Sequence, residues 1–276
     1  MEPLPASGSS SQGGLPRSAF FDRMWPYTRV DAMLQGIFFD IDDTLYSTTA
    51  FAERARRASI DQLIRMGLDI DAEEGYQELM EVIAEFSSNY GGHYGKFLNR
   101  QSEATLRGHH QGLLIAGAVV AYHETKSCHL KAFEDVLETL KLLSTGTNLL
   151  LGIITSGLRI KQSEKLVRLG VWPFLDQNAI FITDEVGIGK PNPKLYQRAC
   201  EAFDLDPANV MYVGDNPIHD VHPANQVGMV SVWNKREGKH VDLPCLSPPD
   251  HVICDFTELR HLLLDVYKVD PVVRQD

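Results

Sequence analysis

The 276-residue sequence has no CxxC pair, no excess of basic charge and no long apolar run. Its four cysteines, Cys128, Cys200, Cys245 and Cys254, are scattered without zinc-type spacing. A disulfide framework or a zinc knuckle is thereby disfavoured, and a reducing compartment is the default. Lys and Arg number 26 against 37 Asp and Glu, a formal net charge of −11. That balance disfavours nucleic acid and anionic membrane as partners, because both call for a basic face. It leaves room for an anionic substrate, since one local cation can outweigh the global field. The longest apolar run, Leu113 to Tyr122, falls well short of the roughly 20 residues a membrane helix needs. The N-terminus has no apolar secretory core. Arg17, Arg23 and Arg29 stand in a Ser/Gly/Pro-rich context like that of an organelle transit segment, but Glu2, Asp22, Asp31 and the prolines at 3, 5 and 16 argue against one. A soluble cytoplasmic protein with a flexible leader is expected.

What is present is an ordinary globular composition, 43% hydrophobic and 23% charged, on a chain long enough for a substantial core. Residues 1–34 carry polar low-complexity text (SGSSSQGG) and are expected to be disordered. No internal repeat is found. Ile37-Phe38-Phe39 reads as a buried strand that ends at Asp40. Helical patterning follows over Phe51–Met66, Ala72–Phe86 and Gln111–Tyr122, the last rich in small residues and suited to close packing, with a polar loop from Ser87 to Tyr94. Strands and helices then alternate: strands at Leu149–Ile154, Ala179–Ile182, Val210–Val213 and Met229–Val232, helices at Ile160–Leu169, Pro193–Phe203 and up to Val227. Asp255 with Glu258 marks a capping-box-like start for a last helix, Leu259–Leu264.

This rhythm predicts an α/β fold, a doubly wound parallel sheet with helices on both faces. A single βαβ crossover needs about 30 residues, whereas roughly 110 separate the first two strands. The surplus, residues 48–128, is read as an inserted all-helical unit, with the core formed by 35–47 and 129–276. Because it leaves the core just after Asp40, it should sit over the rim where open α/β sheets bind ligands.

Asp40-Ile41-Asp42-Asp43-Thr44 places three carboxylates directly after a buried strand. Taken alone this is equally well a polar turn. Two further segments change the balance: Val213-Gly214-Asp215-Asn216-Pro217-Ile218-His219-Asp220, a second strand that runs into acids, and Gly189-Lys190-Pro191, a lysine in a stiff loop before a helix. Acids from two strand ends at one rim would repel by about 4 kcal/mol per close pair at an effective dielectric near 20. A hard cation removes that conflict, and a carboxylate-only ligand set suits Mg²⁺.

The ordered set resembles the haloacid dehalogenase superfamily. Asp40-Ile41-Asp42-Asp43-Thr44 is similar to its first motif, DxDxT. Ile153-Ile154-Thr155-Ser156-Gly157 is similar to the second, Lys190 within Gly-Lys-Pro to the third, and Gly214-Asp215 with Asp220 to the fourth. The helical insertion resembles the type-one cap. FFDIDDTLYSTTAFAERARRASI, with SSNYGGHY further on, is similar to an archaeal-type branch linked to glyceraldehyde 3-phosphate phosphatase and, less closely, to pyrimidine 5′-nucleotidases. The resemblance implies a Mg²⁺-dependent phosphatase acting on a small phosphorylated metabolite, a sugar or triose phosphate or a nucleoside monophosphate.

It also implies roles that the chemistry supports. Asp40 is the nucleophile, whose carboxylate attacks phosphorus. Asp42, two residues on and on the same side of an extended stretch, protonates the leaving oxygen and later accepts a proton from water. Thr155, Ser156 and Gly157 hold phosphoryl oxygens, and Lys190 neutralises them and steadies Asp40. The metal falls to Asp40, the Asp42 carbonyl and Asp215. Asp220 is read as a support for Lys190 rather than a ligand, and Asp43 as structural.

Other signals carry less. His109-His110, and His219 with His222, have no matching partners that would make a transition-metal site. Arg54, Arg56, Arg57 and Arg65 read as a solvated helix face. Asn89 to Tyr94 is either a turn within the insert or a contact to the leaving group. A phosphomutase would use the same groups. A 2-haloacid dehalogenase would have no use for an acid at Asp42, because halide leaves unprotonated. Retention of every acid and of the lysine argues against a catalytically dead scaffold. The chain is expected to act as a monomer or homodimer.

Overall fold

A computed structural model describes residues 33–236 and 238–271. The leader expected over residues 1–34 thus lies almost wholly outside the described residues; Leu34, at its edge, is buried in the core. Six parallel strands form one sheet: β1 (Gly36–Phe39), β2 (Leu150–Thr155), β3 (Ile180–Ile182), β4 (Val210–Gly214), β5 (Val230–Asn234) and β6 (His251–Ile253). Their spatial order is β3-β2-β1-β4-β5-β6, with every neighbouring pair parallel. The chain winds outward from β1 to one side, then returns to wind outward from β4 on the other. The reversal falls between β1 and β4, where open α/β sheets form a crevice beyond the strand ends.

The strands β1, β4 and β5 are buried throughout because both faces are covered, and β1 and β4 are apolar, whereas β5 carries the buried polar residues Ser231 and Asn234. Alternation within β1 sends Ile37 and Phe39 into one core cluster, with Ile153 and Val213, and Phe38 into another, with Ile154 and Tyr212. The first cluster packs under α6 (Glu134–Gly146) and α11 (Phe256–Asp265), the second under α9 (Pro193–Glu201) and α10 (His222–Val227). Between β2 and β3 lies α7 (Arg159–Leu169), which ends at Gly170 in the left-handed region, φ 70°. A one-turn α8 (Thr183–Val186) follows β3. Asp255 caps α11 through the Glu258 amide at 2.8 Å, and the Glu258 carboxylate returns to the Cys254 amide at 2.7 Å, one residue before the cap.

The insert between β1 and β2 is helical, as expected: α1 (Thr48–Arg65), α2 (Ala72–Phe86), α3 (His93–Asn99), α4 (Glu103–Leu106), α5 (Gln111–His129) and α6. Four of these share their own apolar cluster, including Ile60, Leu63, Leu79, Val82, Phe97 and Leu114. Close packing of α5 on α1 follows from small residues. Ser59 donates to the Ala118 carbonyl at 2.9 Å, and a β-carbon on Gly117 would overlap the Met66 thioether. By contrast α6 packs on the sheet side, through Val136, Leu140 and Leu143. Sequence patterning did not single out α3, α4, α6, α8 or β6. The short elements carry too few residues for a period to show, and in β6 Val252 is exposed, so no buried apolar run marks it. Among the described residues no helix is long and apolar enough to cross a membrane.

Candidate active site

Strand register brings the predicted residues to one rim. Phe39 aligns with Ile153 on one side and Val213 on the other, so the residues that follow them leave the sheet together. Asp40 is still in the ladder, its amide donating to the Val213 carbonyl at 2.9 Å. Asp43 takes a left-handed φ of 54°, which turns the chain back toward α1. Its carboxylate then accepts from the Thr49 amide and hydroxyl, each at 3.0 Å. That is favourable at a helix N-terminus, where amides lack partners and the dipole is positive.

Lys190 arrives from the loop between α8 and α9, with its side chain only 3% exposed. Its ammonium lies 2.6 Å from Asp40 Oδ1, 2.8 Å from Asp220 Oδ1 and 2.6 Å from the Tyr212 hydroxyl, so all three of its protons are used. Tyr212 passes its own proton to the Ile154 carbonyl at 2.8 Å. Burial works against the Lys190 cation, but Asp220 and Asp40 outweigh it and raise its pKa above the ordinary lysine value. Asp220 sits on a π-helical turn, Pro217–Val221, and accepts from the Asn216 amide at 3.0 Å. A β-carbon on Gly214 would overlap this carboxylate, so the approach requires glycine. Asp215 follows, with Oδ2 2.6 Å from His240 Nδ1 and its carbonyl held by Trp233 Nε1 at 2.8 Å.

Asp40, Asp215 and Asp220 each present a carboxylate oxygen within 4.8 Å of the others. Burial, reinforced by Asp220, Asp215 and Asp42, pushes the Asp40 carboxyl up to about 7 against the pull of Lys190. Burial and Asp220 likewise raise Asp215, with His240 opposing, to about 6. Buried like-charged oxygens of this kind are costly without a cation, and one lysine cannot neutralise three carboxylates. The cluster is able to hold a metal ion, and its all-oxygen donor set suits a hard one.

Asp42 points elsewhere. Its Oδ1 accepts from the Tyr46 hydroxyl (2.7 Å), the Thr48 hydroxyl (2.7 Å) and Lys165 Nζ (2.6 Å). Its Oδ2 accepts from Lys165 (2.7 Å) and Gln162 Nε2 (3.1 Å). Burial alone would raise its pKa, but the Lys165 charge and the Lys165, Thr48 and Tyr46 hydrogen bonds win and lower it. The side chain keeps 31% exposure. None of these four partners was singled out by sequence. One signal for Gln162 existed: it lies on the buried stripe of α7 with Leu166 and Leu169, where a polar residue needs a reason.

At the end of β2, Thr155 is buried and its hydroxyl has no partner. Ser156 is exposed, while its carbonyl accepts from Gln162 Nε2. Gly157 has φ 135°, and its amide is already engaged by the Thr183 hydroxyl at 3.0 Å. The polar loop of the insert is exposed from residue 87 to 91, and its Asn89 carbonyl accepts from Lys161 Nζ of α7 at 3.4 Å. Tyr94 donates to Ser59 at 2.7 Å, Tyr90 packs on Phe86 with ring centroids 5.3 Å apart, and His93 Nε2 lies 2.8 Å from the Ser87 carbonyl. Of the arginines, Arg57 pairs with Glu53 and Glu73 on the surface.

A family model for haloacid dehalogenase-like hydrolases matches residues 34–228. The chain belongs to that family. It is a phosphatase of the haloacid dehalogenase type. A glyceraldehyde 3-phosphate phosphatase of Methanopyrus kandleri is 41% identical over 233 residues, 84% of this chain and 96% of that protein. The crystal structure of a phosphatase of this superfamily from Thermococcus onnurineus superimposes with a TM-score of 0.60 at 24% identity, covering 83% of this chain and 98% of the other. A hydrolase of the superfamily from Bacillus subtilis, solved with bound magnesium, matches at a TM-score of 0.58 and 17% identity, over 83% of this phosphatase and 98% of that chain.

Proposed function

We propose that the protein is a Mg²⁺-dependent phosphatase for glyceraldehyde 3-phosphate, acting through an aspartyl-phosphate on Asp40. The observation that carries the chemistry is the meeting of Asp40, Asp215, Asp220 and Lys190 at one rim of the sheet. The choice of substrate is supported by the Methanopyrus kandleri relative, which this chain covers almost end to end.

In this reading Lys190 holds Asp40 Oδ1 and orients the carboxylate for attack on phosphorus. As the Asp40–phosphorus bond forms, the bond to the leaving oxygen breaks, and Asp42, which has first taken a proton from solvent and so loosened from Lys165, supplies that oxygen with it. Water then attacks the phosphoryl group and gives its proton to Asp42. Phosphate leaves and Asp40 is regenerated. The unpartnered Thr155 hydroxyl and the Ser156 backbone receive phosphoryl oxygens, next to Gly157, and Lys190 balances their charge. Asp40, the Asp42 carbonyl and Asp215 would hold Mg²⁺, which supplies electrostatic stabilisation of the phosphoryl charge. Asp220, bound to Lys190 and the Asn216 amide, supports the lysine. Residues 48–128 act as a cap on a core formed by 35–47 and 129–276.

The test is phosphate release from glyceraldehyde 3-phosphate, a hexose phosphate and a nucleoside monophosphate, with Mg²⁺ and with EDTA. The triose phosphate should give the largest kcat/KM, chelation should abolish release, and Asp40→Asn should do the same. Release from none of the three, or an Asp40→Asn variant as active as the parent, refutes the reading.

A further inference from the structure

Arg56 departs from the solvated helix face expected of it. It is half-buried on α1, and its hydrogen bond to a described residue runs from Nη1 to the Met80 thioether of α2 at 3.5 Å, a weak acceptor for a group with five donors. Among the described residues no carboxylate pairs with it, whereas its neighbour Arg57 has two, Glu53 and Glu73. Withdrawing a guanidinium from water without a counter-charge is costly, so the position calls for a reason.

A second polar group in the same space is also unengaged. Tyr122 of α5 packs its ring on Phe51 with centroids 6.0 Å apart, yet its hydroxyl makes no hydrogen bond to a described residue, where a half-buried tyrosine ordinarily finds one. Burial raises its pKa, the Arg56 charge opposes the rise and Asp42 adds to it, so Tyr122 lies within electrostatic reach of both. Burial raises Tyr94 of α3 as well, and Arg56 again opposes it. The chain path sets these groups over the phosphate site. Thr48, the first residue of α1, donates to Asp42 at 2.7 Å, and Arg56 follows two turns on, about 12 Å along the axis. On the far side α7 touches both Asp42, through Lys165, and the loop of the insert, through Lys161 and the Asn89 carbonyl. The space walled by α1, α2, α3 and α5 therefore faces Asp42 and the end of β2.

We propose that Arg56 and the Tyr122 hydroxyl form a subsite for the organic part of the substrate, donating to an oxygen that the leaving alcohol carries beyond its ester oxygen. The inference rests on the phosphatase reading and adds the class of leaving group, a short oxygenated chain rather than a hydrocarbon. Both groups are donors without an acceptor, so an oxygen-bearing chain satisfies them and a hydrocarbon leaves them unpaired. The phosphate does not need them, because Lys190 and the loop after β2 receive it.

The experiment measures kcat/KM for glyceraldehyde 3-phosphate and for phenyl phosphate, whose leaving group has no second oxygen, in the parent, Arg56→Met and Tyr122→Phe, each with Mg²⁺. Arg56→Met should lose about ten-fold or more on the triose phosphate relative to its loss on phenyl phosphate, as expected for a hydrogen bond from a charged donor. Tyr122→Phe should lose about three-fold in the same ratio, as expected for a neutral one. Inhibition by inorganic phosphate, which has no organic part, should be unchanged in both variants. Equal losses on the two esters, which a brace within the insert would give, overturn the proposal, and so does a parent active on phenyl phosphate alone. Weakened phosphate inhibition overturns it too, by assigning Arg56 to the phosphoryl group. If Arg56→Met does not fold, Arg56→Gln, which keeps a donor without the charge, carries the same comparison. A parent inactive on both esters would instead count against the phosphatase reading itself.

Discussion

Replacing Lys190 by methionine tests the electrostatic core of the site. The substitution keeps length and removes the charge. Asp40 Oδ1, Asp220 Oδ1 and the Tyr212 hydroxyl, now 2.6, 2.8 and 2.6 Å from the ammonium, lose it together. Removing one partner of a buried ion pair costs about 3–5 kcal/mol, because the other charge is left uncompensated. For a domain of this size that corresponds to a fall in Tm of roughly 6–20 °C. The loss must depend on pH with a definite sign. Asp40 is already raised from 3.8 to about 7 with the lysine present, so the folded state keeps a proton that the unfolded chain has lost. Its contribution to stability therefore falls as pH climbs from the unfolded value and levels off above the folded one. Without Lys190 the folded value moves higher still, and the variant's deficit should be larger at pH 8.5 than at pH 6. Circular-dichroism melts of the metal-free parent and variant at both pH values give the answer. A deficit under about 3 °C at pH 8.5, or one that does not shrink on acidification, refutes the account of Lys190 as the counter-ion of this cluster.

Other expectations concern the metal, the phosphate and the surface. Protons compete for raised carboxylates, so the rise in Tm produced by Mg²⁺ should be full above pH 8 and shrink through about 7 and 6, the values for Asp40 and Asp215; a Tm shift independent of pH between 5 and 8 contradicts it. Thr155→Val removes a buried hydroxyl with no partner, so stability should hold or rise slightly while inhibition by inorganic phosphate weakens about five- to thirty-fold, as loss of one or two kcal/mol implies. Equal phosphate inhibition would remove Thr155 from the phosphate site. Arg57→Ala breaks ion pairs whose members are 40–59% exposed, and should move Tm by little and leave kcat/KM alone; a strong kinetic effect would contradict the surface reading.

Asp40, Lys190, Asp215 and Asp220 were legible as candidates because each stands at or just beyond a strand end or in a stiff loop, and the neighbouring text announces the strand. Alternation of strands and helices likewise carried the parallel sheet, and the long gap between the first two strands carried the helical insert. Asp43 read as structural, and in the fold it spends both oxygens on Thr49. The loop at Asn89 to Tyr94 left two readings open; there the structure turns Tyr94 onto Ser59 and Tyr90 onto Phe86.

By itself, then, the sequence determined which groups stand where β1, β2 and β4 end, since a buried strand must be apolar and the first polar residues after it mark the rim. Only the tertiary structure decided how those groups are shared: Lys190 between Asp40 and Asp220, His240 on Asp215, and Gln162 with Lys165 on Asp42. Such partnerships join residues as far apart in the chain as 40 and 190, and neither strand period nor helix period encodes distance across a fold. They follow from register and from the packing of α7, in which each polar side chain takes whichever partner burial brings within reach.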